Sequence, residues 1–189
     1  MGIFDILRGE RRIPRADLDA LFGVSTAEST LEINLGLEAT GRGGVCFKPV
    51  EMASFAAVLD DIEQLVDLDL DTGAAARRVD DEFGFSWLVI DDESLTDLVV
   101  RIHAVNRVMV DAGFSSQLLC SVFAFEADDG PVLLVYSYKR GTFYPFVPRD
   151  GSRDTATELR LRASLAAELR MEPELERWFP VWGAPVLGA

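Results

Sequence analysis

An α+β fold, an antiparallel sheet of strand-strand-helix units with helices packed mainly on one face, is what this 189-residue chain predicts. Three observations point to it. Two extended segments followed by a helical one recur along the chain, the helical segments carry apolar residues three and four apart, and Gly, Asp and Pro clusters punctuate the extended segments. With 49% hydrophobic and 26% charged residues the chain can bury a core, which excludes a disordered acidic tail protein. The length suits a single α+β domain over 1–189, with a short basic N-terminal segment (1–15) and an aromatic C-terminal tail (173–189).

In the N-terminal segment Arg8, Arg11, Arg12 and Arg15 outnumber Asp5 and Glu10, and Ile3, Phe4, Ile6 and Leu7 can form a short apolar face. Such a face supports at most weak peripheral membrane contact. Over Ala16 to Phe22 a helix is expected, with Gly23 as its stop and Ser25 to Glu28 as a capping box before a strand near Ile33 to Ala39. The first unit pairs Leu35 to Thr40 with Gly44 to Pro49 through the turn Gly41-Arg42-Gly43. Its helix carries Met52, Phe55, Leu59, Ile62 and Val66. The second pairs Ala76 to Asp81 with Phe85 to Ile90 around Gly84, and its helix, Glu93 to Ala112, stops at Gly113. The third pairs Leu118 to Phe125 with Val132 to Lys139 across Asp128-Asp129-Gly130-Pro131, ahead of a helix over Thr155 to Leu169. These last two strands are apolar on both faces, which places them centrally in the sheet. Units one and two superpose with Gly44 on Gly84 and Phe47 on Trp87, a match that any two strand-strand-helix units of similar length give by coincidence of apolar pattern, with ancient duplication as the lesser alternative.

The net charge of −14 leaves no basic stripe for phosphate contacts, so no nucleic acid is expected as a partner. No apolar run reaches the length of about 18 residues that a membrane-spanning helix needs, and the first residues lack the long apolar stretch of a secretion signal. The two cysteines, Cys46 and Cys120, lie in apolar runs and are far too few for a disulfide scaffold, which points to a reducing compartment. One histidine, His103, cannot make a structural metal site with cysteines at that spacing, so no metal is expected. No glycine-rich loop opens a helix after a strand, so no cofactor is expected either. The acidic pairs Asp60-Asp61, Asp80-Asp81, Asp91-Asp92 and Asp128-Asp129 read as solvated surface. His103 and Asn106 stand as a candidate polar site, and no catalytic residue is assigned.

Aromatic residues concentrate twice, in Tyr136 to Pro148 and in Arg177 to Trp182. Lys139 and Arg140 add a cationic spot to the first. Lys139, Arg140, Phe143 and Tyr144 with Trp178 and Trp182 form the candidate partner-binding surface. Pro173 is expected to end the preceding helix and Pro180 to bend the tail. The tail carries too much apolar area to remain in water, so it should pack on Tyr138 to Phe146 as one continuous aromatic patch.

Nearly end to end, the sequence resembles the PspA-associated protein PspAB family of phage-shock envelope-stress systems. The resemblance rests most on Tyr138-Lys139-Arg140-Gly141-Thr142-Phe143-Tyr144-Pro145-Phe146 and Arg177-Trp178-Phe179-Pro180-Val181-Trp182-Gly183-Ala184-Pro185. Gly44 to Lys48, Phe85 to Val89, His103 to Asn106 and Leu118 to Val122 also match. The resemblance implies a cytoplasmic, non-enzymatic accessory or regulatory protein that contacts a PspA-type coiled coil, with a link to the membrane protease HtpX and placement at the inner face of the membrane. It carries over no catalytic residues. Two alternatives follow from the residues themselves: a peptide-binding chaperone-like module working by strand addition, and an unrecognised hydrolase using His103, Asn106 and a cysteine.

Overall fold

Strands dominate the middle of the chain in this computed structural model, which describes residues 17–67 and 75–188. In chain order they are β1 (Glu38–Phe47), β2 (Ala75–Asp80), β3 (Ser86–Asp91), β4 (Leu118–Ala127), β5 (Gly130–Ser137) and β6 (Thr142–Phe146). They form one antiparallel sheet in the order β2-β3-β1-β4-β5-β6, with a two-stranded hairpin of β7 (Pro148–Arg149) and β8 (Ser152–Arg153) beside it. The basic N-terminal segment lies outside the described residues.

Alternation along each central strand divides the buried side chains between two faces. Val45, Phe47, Leu88, Ile90, Phe123, Phe125, Leu134 and Tyr136 point to one side, where α2 (Ala53–Asp67) and α3 (Leu95–Asp111) cover them. The other side carries Cys46, Trp87, Val89, Cys120, Val122, Leu133, Val135, Tyr144 and Phe146, and the C-terminal tail covers it with Trp178, Ala184 and Val186. The fold is α+β with its helices mainly on one face, and an irregular tail takes the place of helices on the other. α3 begins at Ser94, whose hydroxyl accepts the Asp97 N–H at 3.0 Å, and ends before Gly113 at φ +87°. Beyond it, α4 (Thr155–Leu165) lies along β6 and is capped by Asp154, which accepts the Thr157 N–H at 3.0 Å.

Several expected elements take another form. Gly41-Arg42-Gly43 is not a turn: β1 runs unbroken through it and pairs with β3 on one side and β4 on the other. Gly41 sits at φ +70° where the β1–β4 register shifts, and a Cβ there would overlap the Asp92 carbonyl. A Cβ on Gly43 would stand 2.7 Å from Ile102 of α3 and 2.8 Å from the Val122 carbonyl. These glycines admit close neighbours, where the sequence suggested a reversal of the chain. The first unit therefore has one strand where the second has two, and Gly44, in mid-strand, does not correspond to the β2–β3 turn glycine Gly84.

Gly23 likewise does not stop a helix. It is right-handed, and the 3₁₀ turn Leu18–Phe22 runs through it into α1 (Gly23–Thr26) and a π-helical turn over Thr30–Asn34, where a strand was expected. Space explains it, since a Cβ on Gly23 would approach Leu169 to 2.8 Å. α4 ends at Leu165, well before Pro173, because the chain then turns extended and bridges β6 at Phe143 and Met171.

Removing the Cβ-free positions separates the two uses of glycine. Gly113→Ala, left-handed but with open space around it, should cost about 1–2 kcal/mol. Gly41→Ala adds overlap with backbone and should cost more than about 3 kcal/mol. Urea denaturation of the two variants checks the order, which equal losses would contradict.

Candidate functional site

The candidate partner-binding residues do not share one surface. Phe143 and Tyr144 are neighbours in β6, so they face opposite sides of the sheet. Phe143, 1% exposed, packs on Tyr136 at 4.9 Å in the helix-side core. Tyr144, 3% exposed, stacks on Trp178 at 6.1 Å on the tail side, and Trp178 is itself buried at 4%. Phe143, Tyr144 and Trp178 are therefore interior residues, a correction that follows from strand alternation at a covered sheet. Trp182 is half-buried edge-on against Phe146 at 4.8 Å. Lys139 and Arg140 remain exposed in the turn between β5 and β6.

The tail is held by polar bonds as well as apolar area. Tyr144 donates its hydroxyl to the Phe179 carbonyl at 3.0 Å, and Trp178 donates its indole N–H to the Glu172 carbonyl at 3.1 Å. Arg153 donates to the Trp178 carbonyl at 2.6 Å while its guanidinium also pairs with buried Glu158 at 2.8 Å. Glu158 in turn accepts the Val147 N–H at 2.9 Å. Buried Glu172 accepts Thr142 Oγ1 at 3.0 Å and the Glu174 N–H at 3.2 Å. These two buried carboxylates thus meet a cation or several donors, which offsets the cost of taking them out of water. The expected docking of the tail onto β6 occurs, yet only on Tyr144 and Phe146, the residues of one face. Phe179, 68% exposed, points to solvent.

His103 and Asn106 are three residues apart on α3 but make separate contacts. The His103 ring lies 3.2 Å from Asp19 Oδ1 and 4.7 Å from the Phe22 ring. Asn106, wholly buried, donates to Ser121 Oγ at 2.9 Å, and that hydroxyl lies 3.4 Å from the Tyr138 hydroxyl. Its own Oδ1 has no hydrogen-bond partner. Both cysteines lie across the sheet from α3, so the sheet stands between His103 and either thiol. Among the described residues no group of three or more His, Cys, Asp or Glu is placed to hold a metal, and no helix is long and apolar enough to cross a membrane.

Sequence reasoning missed a groove of about 480 Å³ at the β2 end of the sheet. Val50, Phe55, Ala56 and Leu59 make its apolar wall, and Arg78, Asp80 and Ser86 its polar one. Arg78 reaches Asp60 at 3.4 Å and Glu63 at 3.3 Å, and Asp80 accepts the Ser86 hydroxyl at 2.6 Å. The two ends of the sheet differ. Beyond β6, the Phe143 N–H donates to the Arg170 carbonyl at 2.9 Å and the Glu172 N–H to the Phe143 carbonyl at 2.7 Å, while no described strand lies outside β2 along Arg78 to Asp80. The groove forms where α2 and the segment before it meet β2 and the start of β3, residues distant in sequence, so no local pattern signals it.

Two measurements follow from this geometry. Trp178→Ala should cost about 3–5 kcal/mol, while Phe179→Ala should fall within about 0.5 kcal/mol of the parent, both read from thermal melting. Burial also pushes all three tyrosines up: Tyr136 to about 12, Tyr138 and Tyr144 further. Folded tyrosines then hold their protons where unfolded ones, with pKa about 10, release them, so stability is full below about pH 10 and falls as pH rises toward 12. Tyrosinate absorbance at 295 nm should appear only as the protein unfolds in alkali. A normal tyrosine titration in the folded state would contradict the burial.

None of the curated proteins or solved structures compared with the chain matches it. A family model does, over residues 1–186, which takes in the sheet, both covering layers and the tail, and on that match the chain belongs to the family PspA associated protein B.

Proposed function

We propose that the chain is a non-enzymatic accessory protein of a PspA-type envelope-stress response and acts by binding PspA. The observation that carries this reading is the family match over residues 1–186, since association with PspA is what the family's name states. Separation of His103 from both cysteines by the sheet supports a role without chemistry. Lys139 and Arg140, exposed at the β5–β6 turn of an acidic protein, suit a partner with acidic helix faces such as a coiled coil. The site of action is the cytoplasmic side of the membrane, where a link to the protease HtpX would also lie.

Purified chain mixed with purified PspA should co-elute as one complex in size-exclusion chromatography. Independent elution at concentrations well above those in the cell would overturn the reading. The double variant Lys139→Glu, Arg140→Glu should weaken binding by about tenfold or more, equivalent to ~1.4 kcal/mol, with the effect shrinking at high salt.

A second reading, a peptide-binding module, draws on the groove between α2 and β2, where an apolar wall faces a strand at the end of the sheet. Ala56→Arg would fill that groove from an exposed helix position. Loss of PspA binding in Ala56→Arg, with binding retained in the Lys139→Glu, Arg140→Glu variant, would favour it.

A further inference from the structure

Cys46 in β1 and Cys120 in β4 are far apart in sequence and directly opposite each other in the sheet, as paired Cα positions of an antiparallel ladder. Opposed residues in such a ladder have Cα atoms about 4.5–5.5 Å apart, inside the range of about 4.4–6.8 Å that a disulfide spans. Both side chains point to the same face, the one under the tail. The register between the strands shifts immediately beside the pair, where Cys46 faces Cys120 but Phe47 faces Leu118. That bulge puts Leu118 and Cys120 on opposite sides of the sheet and interrupts the rigid ladder next to the sulfurs. Both cysteines are free thiols.

We propose that Cys46 and Cys120 are a reversible dithiol–disulfide site that a peroxide oxidises. Cys120, the more exposed residue of the two at 8% against 4%, meets the oxidant first. Its thiolate attacks one peroxide oxygen, the O–O bond breaks, and hydroxide leaves with a proton as water, giving a sulfenic acid. The Cys46 thiolate then attacks the Cys120 sulfur. The S–O bond breaks, the S–S bond forms, and a second water departs. Two thiols are oxidised by two electrons in all and one peroxide is reduced to two waters. An external dithiol reverses the reaction by exchange.

The tail governs access to this site. Its Pro185–Leu187 turn contacts β1, β3 and β4, and Val186 lies so close to β1 that a Cβ on Gly44 would stand 3.1 Å from it. Nearness of the Cys120 thiol, with burial, pushes the Cys46 thiol well up from its ordinary value, so Cys46 stays protonated while the tail is seated. Oxidation therefore proceeds from the fraction of molecules whose tail has lifted, and the new bond ties the two central strands together beneath it.

The test uses the full chain treated with hydrogen peroxide, then alkylated in denaturant and weighed intact. The expected product has lost the mass of two hydrogen atoms and takes up no alkyl group, remains a monomer on a non-reducing gel, and regains two alkylation sites after dithiothreitol. Cys46→Ala and Cys120→Ala should each fail to give that product. A native chain that keeps both thiols, while the same chain forms the disulfide once denatured, would overturn the proposal. So would oxidation that stops at sulfinic acid or that joins separate chains.

Discussion

A sheet whose middle strands carry apolar side chains on both sides must be covered twice, and this requirement shapes the rest of the molecule. β4 and β5 each send large residues to both faces, and β1 sends Val45 and Phe47 to one face and Cys46 to the other. On one face Phe55, Leu59 and Ile62 of α2 and Leu98, Ile102 and Val105 of α3 meet the sheet, joined by Leu21 and Leu31 before β1 and by Leu161 and Leu165 of α4. Among the described residues the other face has no α-helix of its own. It is closed by a short irregular tail that must supply, in a few residues, the area a helix would otherwise bring, and Trp178, Trp182 and Val186 are large enough to do so.

Covering a face with irregular chain raises a second problem, because such chain has no internal ladder to satisfy its polar groups. The solution is a set of buried ionic anchors. Arg153 joins the Glu158 carboxylate to the Trp178 carbonyl, and Glu172 collects donors from Thr142 and Glu174 where the chain leaves β6. Loss of one partner from such an anchor leaves a charge buried without compensation, so the anchors hold the tail in one place more than they add to its affinity. The same tail also closes over the two cysteines, which links the packing of the second face to the chemistry available beneath it.

For recognition the consequence is a division of roles. Tyr144, Trp178 and Trp182 are occupied with closing the second face and Phe143 with filling the first, while Phe179 and the pair of cations at the β5–β6 turn reach solvent. At the far end of the sheet the α2–β2 groove offers an apolar wall beside polar side chains already engaged with each other. The sheet itself keeps the helix that carries His103 and the two thiols on opposite sides.

The sequence by itself determined the α+β class, the α3 helix with its Gly113 stop, the β2–β3 and β4–β5 hairpins, and the central place of β4 and β5. These are local or periodic features, and period and capping chemistry are written in neighbouring residues. The tertiary structure decided what depends on residues remote in sequence. Gly41 and Gly43 look like a turn but serve close approach to Asp92 and to Ile102. Gly23 looks like a helix stop but makes room for Leu169. β6 was hidden because it is only five residues long and carries Pro145, which argues against an interior strand, and Phe143 and Tyr144 read as one aromatic surface because they face apart only once β6 is a strand. The opposition of Cys46 and Cys120 depends on strand order and on a register set by bulges, and neither exists until the sheet has formed.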